Sequence, residues 1–181
     1  MNTPHIITRS FAIFTAITAL MATQSFAQDK APKEQRIGIY DSRAVAIAYV
    51  GSTFLKEEMQ ELTTKHKKAK AAGDEKEASR LEAEGGAKQA KLHQQGFSTA
   101  PVDDLLAYIS SALPKIQDAA DLSATVSKWD KASLEKHSKS EKVDVTMQLV
   151  DAFHPDERTR LNAIDIQKKA PVPLDQLGKH Y

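Results

Sequence analysis

The hydrophobic pattern changes period along the chain, and each change marks an element. Phe11 to Ala22 is an unbroken uncharged run, mostly apolar. After a charged stretch, Ile37 and Ile39 alternate with Gly38 and Tyr40, the period of two that predicts a short strand over Arg36–Tyr40. Asp41 or Ser42 is placed to cap a helix. Ala44 to Val50 is apolar on nearly every side, so that helix is expected to be buried or to lie in an interface. From Leu55 the period lengthens. Leu55, Met59, Leu62, His66 and Ala69 are spaced alternately four and three residues apart, the seam of a coiled coil with Lys and Glu on the remaining faces. Gly73-Asp74 interrupts this helix, with Gly as C-cap and Asp as the next N-cap, and Glu77 completes a reciprocal cap. A second helix then runs from Glu75 toward Gln95 and turns Ala78, Leu81 and Leu92 inward. Gly85-Gly86 softens its middle by about 1 kcal/mol per glycine relative to Ala. Residues 53–95 read as an antiparallel helical hairpin whose tip is Gly73-Asp74.

Past the hairpin, Pro101 opens a helix with Val102, Leu105, Leu106, Ile109 and Leu113 on one stripe, which Pro114 is expected to end or kink. Leu122, Ala124 and Val126 alternate with polar residues and predict a second strand ending near Trp129. Residues 130–142 are charged and rich in Ser and Lys, and read as a loop. Asp144 or Thr146 caps a short helix carrying Met147, Leu149, Val150 and Phe153, and another helix runs from Pro155 to about Gln167. Pro171-Val-Pro173 opens an extended tail.

Composition narrows the class. Arg9, the apolar run and Ser25-Phe-Ala27 have the order of a secretory signal peptide, which predicts cleavage after Ala27 and a periplasmic protein. The run of about 12 residues is shorter than the roughly 20 needed to span a bilayer. Residues 28–35 form a loose lead-in. Loss of Arg9 leaves the mature chain neutral, since the sequence holds 25 Lys and Arg against 24 Asp and Glu. A neutral chain is not expected to bind nucleic acid generally. The chain has no Cys, so an exported fold is held by packing or by assembly with other chains. A charged fraction of 27% with 6% aromatics favours long, solvated helices over an enzyme core.

The order of these segments resembles the Skp/OmpH family of periplasmic chaperones. Arg36-Ile-Gly-Ile-Tyr-Asp-Ser42 is similar to the family's first strand and turn, and Lys70 to Leu81 to its hairpin tip. Asp121 to Trp129 takes the place of the second strand, and Val143 to Val150 resembles the closing segment that leads the C-terminal helix. The resemblance covers residues 36–153, leaving 154–181 as a C-terminal helix and tail. It implies an α+β, mostly helical fold, with short strands in a small body and a projecting helical hairpin. It also implies a homotrimer that holds unfolded outer-membrane or envelope proteins without ATP. The alternative is a structural or adaptor protein of the envelope with the same fold.

The residues carrying such chemistry are few. Lys65, Lys67, Lys68 and Lys70 form the densest basic cluster and are the candidates for client contact or weak contact with an anionic membrane surface. The competing reading is a solvated helix face. Ile37, Ile39, Val45, Ile47 and Val126 are the candidates for assembly. Trp129, Tyr40 and Tyr49 read as core anchors. No His pair past residue 27 has the spacing of a helical metal site, and no nucleophile elbow or phosphate loop is present, so no cofactor, metal or catalytic residue is expected.

Overall fold

The structure, a computed structural model, describes residues 35–174, 176 and 177. The expected export segment lies outside these residues. Strand β1 (Arg36–Tyr40) is the centre of a three-stranded parallel sheet ordered β2-β1-β3, with β2 at Ala124–Ser127 and β3 at Glu141–Asp144. Ile37 lies opposite Ala124 and Ile39 opposite Val126 on one side, and Gly38 lies opposite Val143 on the other. A central parallel strand is covered on both faces, so β1 does not show the one-sided burial its alternation suggested: Ile37, Gly38 and Tyr40 are all buried. Gly38 is required there. A Cβ would stand 2.8 Å from Val145 Cγ2 and 2.9 Å from Leu122 Cδ1.

Asp41 caps α1 (Ser42–Val50) by accepting the Arg43 amide at 3.0 Å. As its apolar circumference predicts, α1 is buried: Ala44, Val45, Ala46, Ala48 and Tyr49 have no exposed surface. Its alanines let neighbouring helices approach closely. The core gathers α1 with Val102, Leu105 and Ile109, with Val145, Leu149, Val150 and Phe153, and with Ala163 and Ile166.

Two long helices follow, α2 (Thr53–Ala71) and α3 (Glu75–Phe97). The turn between them behaves as its sequence dictates. Gly73 takes φ 72°, the left-handed conformation that ends a helix, and Asp74 accepts the Glu77 amide at 3.0 Å. The residue at the C-cap itself is Ala72, with Gly73 one position beyond. Glu58 pairs with Lys88 at 2.5 Å, Leu62 lies beside Gly85, and Ala69 clusters with Ala78 and Leu81. Partner numbers therefore fall along α3 as they rise along α2. This second, small apolar cluster is separate from the main core.

Two expectations for the second half need correction. Pro114 does not end a helix. The stripe from Val102 divides into α4 (Asp103–Leu106) and a 3₁₀ turn (Ala107–Ile109), and Pro114 sits in the first turn of α5 (Leu113–Ala120). Proline is tolerated there because the first helical amides have no partner within the helix. Residues 130–142 are not simply a loop. Asp130 caps α6 (Lys131–Lys136) by accepting the Ser133 amide, and Glu141–Asp144 is the edge strand β3. Glu-Lys-Val-Asp carries almost no apolar signal, and pairing with β1 decides its conformation. Helices α7 (Thr146–Asp151) and α8 (Glu157–Gln167) lie where the pattern placed them, α8 capped by Asp156 through the Thr159 amide at 2.7 Å. No helix among the described residues is long and apolar enough to cross a membrane.

Candidate functional site

An open groove of about 920 Å³ lies among the described residues, within the range typical of ligand-binding clefts. Its walls come from four places. The last turn of α1 supplies Ile47 and Val50; α2 supplies Leu55, Met59, Leu62 and His66; α3 supplies Leu81, Leu92 and Phe97; and α8 with its following turn supplies Thr159, Ile166 and Lys169. Three of these apolar residues are unusually open to solvent: Val50 at 51%, Phe97 at 46% and Met59 at 37%. They share one concave surface, which separates them from singly scattered surface apolar residues.

Glycines shape the floor. Gly85, Gly86 and Gly96 all line the groove on α3. A Cβ at Gly86 or Gly96 would meet nothing within 4 Å, and one at Gly85 would meet Leu62 Cδ2 at 3.2 Å. The missing side chains at Gly86 and Gly96 are therefore space in the groove. The glycines that looked like a softening of α3 also form its floor.

Charged groups set the ends and sides. Lys88 is held by Glu58, which also accepts the Tyr49 hydroxyl. Burial alone would raise the Glu58 carboxyl, but the hydrogen bonds from Lys88 and Tyr49 outweigh it and hold its pKa below the ordinary value. Burial and the bond to Glu58 push the Tyr49 hydroxyl up. This trio fastens α2 and α3 to α1. The His93 ring lies 4.7 Å from the Phe97 ring at the groove's inner end. His66 Nε2 is buried with no hydrogen-bond partner.

The four lysines picked from the sequence lie elsewhere. None of Lys65, Lys67, Lys68 and Lys70 borders the groove. Lys65 pairs with Glu61 at 2.6 Å and Lys70 with Glu75 at 2.7 Å, both on exposed faces. Lys68 and Lys70 lie in the last turn of α2, where cations complement the helix dipole. The assembly residues are largely covered by their own chain: Ile37, Val45 and Val126 are buried, and Ile39 and Ile47 are half-buried. Ile47 does border the groove.

A second constellation escaped the sequence reading. Asp41 and Arg43 form an ion pair of 2.8 Å with both residues fully buried, and Lys128 reaches the same carboxylate at 2.6 Å. Arg43 Nη1 also donates to the Lys169 carbonyl at 3.0 Å. Burial would raise the Asp41 pKa, but hydrogen bonds from Arg43 and Lys128 hold the carboxyl below its ordinary value. The arrangement ties the end of β1, the end of β2 and the segment after α8 together. Trp129 belongs here and is not a core anchor. It is half-buried, outside the apolar core, with Arg43 and Lys128 over its ring at 5.2 and 4.8 Å from the centroid. Tyr40 and Tyr49 do pack in the core. Among the described residues no three His, Asp or Glu side chains converge to hold a metal ion.

Fold and groove together define a mostly helical α+β protein with an open apolar cleft between its body and a pair of long helices. The chain matches no family model, no curated protein and no solved structure.

Proposed function

We propose that this protein is an ATP-independent holdase of the periplasm that shelters apolar segments of unfolded outer-membrane or envelope polypeptides. The observation that carries the reading is the groove. Val50, Met59 and Phe97 stand exposed on one concave apolar surface of a charge-rich protein, and water alone would not favour that arrangement. Met59 adds an adaptable, polarizable contact suited to varied sequences. In this reading α2 and α3 act as an antiparallel hairpin, an arm of the Skp/OmpH kind. Homotrimeric assembly would set three such arms around a shared space and make binding multivalent.

The test is suppression of aggregation. Light scattering from a diluted, urea-unfolded outer-membrane protein should fall at near-stoichiometric ratios of the mature chain and without nucleotide. Gly86→Leu, which places a side chain in the groove, should weaken that protection. Full protection by the groove-filled variant would remove the groove from the account. Capture of a single envelope partner with no protection of unfolded proteins would favour the adaptor reading instead.

A further inference from the structure

The groove is walled by helices alone. Every residue that lines it belongs to α1, α2, α3 or α8, or lies within two residues of the end of one, and no strand edge opens into it. Helical backbones use their own amides and carbonyls internally. An extended peptide lying there would leave its backbone groups unpaired against an apolar surface, and each such group is costly to bury. A helix brings its backbone bonds with it. The glycine floor allows a helix to approach closely, because Gly86 and Gly96 present nothing beyond their backbone.

Length and charge specify more. The groove follows α3 from Leu81 to Phe97, about 24 Å at 1.5 Å per residue. Its two ends differ in net charge, although Asp165, paired with Lys168, also lines the end that holds Lys169. Glu82 lies at the end nearest the α2–α3 turn. Lys169 lies at the other end, three residues before Val172, whose amide donates to the Phe97 carbonyl at 2.8 Å. Nearby ion pairs use other groups: Glu58 holds Lys88, Glu75 holds Lys70, and Lys168 holds Asp165. Glu82 and Lys169 form no close ion pair among the described residues; the charges they do feel, Lys70 for Glu82 and Asp165 for Lys169, are each already paired with another group. A bound helix presents partial positive charge at its N-terminus and partial negative charge at its C-terminus.

We propose that the groove binds one amphipathic α-helix of about four turns from a partner polypeptide, laid with its N-terminus against Glu82 and its C-terminus against Lys169. The proposal rests on the groove reading above and narrows the client segments to those able to coil.

A labelled synthetic peptide of about 16 residues, blocked at both ends and with leucines at i, i+3, i+4 and i+7, tests it by fluorescence anisotropy. Saturable binding is expected, weakened roughly tenfold or more by Gly86→Leu and by Gly96→Leu in variants whose melting is unimpaired. A photo-crosslinker at the peptide's N-terminus should label residues around Glu82. In the E82K/K169E double variant the labelling should move to the opposite end. Equal binding of a peptide of like composition broken by two central prolines would overturn the helix assignment. So would displacement of the peptide by laurate, or a doubled particle mass with the groove closed by a second copy. The two readings fail separately. If the proline peptide binds equally while aggregation is still suppressed, the helix falls and the holding function stands. If no peptide binds and no aggregation is suppressed, both fall.

Discussion

Helix α1 buries seven of its nine residues, whereas α2 buries one of its nineteen. The two helices are neighbours in sequence and opposite in how they are held. Around α1 the fold is fixed from every side: an apolar circumference, a sheet with no room for a methyl at Gly38, and a buried carboxylate with two cations. The outer part of the α2–α3 pair rests on Leu62, Ala69, Ala78 and Leu81, with caps and exposed ion pairs around them. A body of the first kind holds one shape. A pair of the second kind opens more readily, because little apolar surface is buried within it. The groove lies between them, where a rigid wall faces a more yielding one.

Substitutions of graded severity break or sharpen this contrast. The largest effect is expected for Arg43→Met, which strips a fully buried carboxylate of the guanidinium that donates to both its oxygens and should remove about 3–5 kcal/mol of stability in a denaturant melt. A loss no greater than that of an exposed salt-bridge variant would show that Lys128 alone suffices. Leu81→Ala is expected to cost about 2 kcal/mol or more. Hydrogen exchange should localise that loss to the outer turns of α2 and α3 and leave α1 protected; uniform loss of protection would mean the two regions unfold as one. Gly38→Ala should destabilise the body by about 1–3 kcal/mol, because its new methyl meets Val145 and Leu122. Gly86→Ala should act in the opposite direction, stabilising α3 by about 1 kcal/mol, since nothing crowds the added methyl.

Acid provides a further separation. The Asp41 pKa is lowered in the folded protein from an ordinary value of 3.8. Its contribution is therefore complete above that value and is lost as pH falls through the lowered folded pKa. Circular dichroism during acid titration should show the body losing stability below about pH 4. In Asp41→Asn this part of the acid sensitivity should disappear.

Local chemistry was legible wherever a residue acts on its own chain neighbours. Asp41, Asp74, Asp130 and Asp156 each accept an amide two or three residues ahead, and two of these caps, at Asp41 and Asp74, were read from the sequence. Asp156 was not singled out within its helix start, and Asp130 was passed over because the short helix it starts has no apolar stripe. Burial of α1 and the bounds of the two long helices were equally readable, since periodicity reports which face seeks the core. β3 was not readable, because its four residues take their conformation from β1. Nor was the partnership of Asp41 with Lys128, which joins the ends of two strands far apart in sequence.

The amino-acid order alone therefore determined most of the elements, some of their caps and the weak seam of the long helix pair, because these depend on contacts within a few residues. The tertiary structure decided the rest. It joined the strands in parallel, enclosed the charges at their ends, and left Val50, Met59 and Phe97 uncovered on a shared concave face. A groove is a property of surfaces brought together from distant segments, and no local period encodes it.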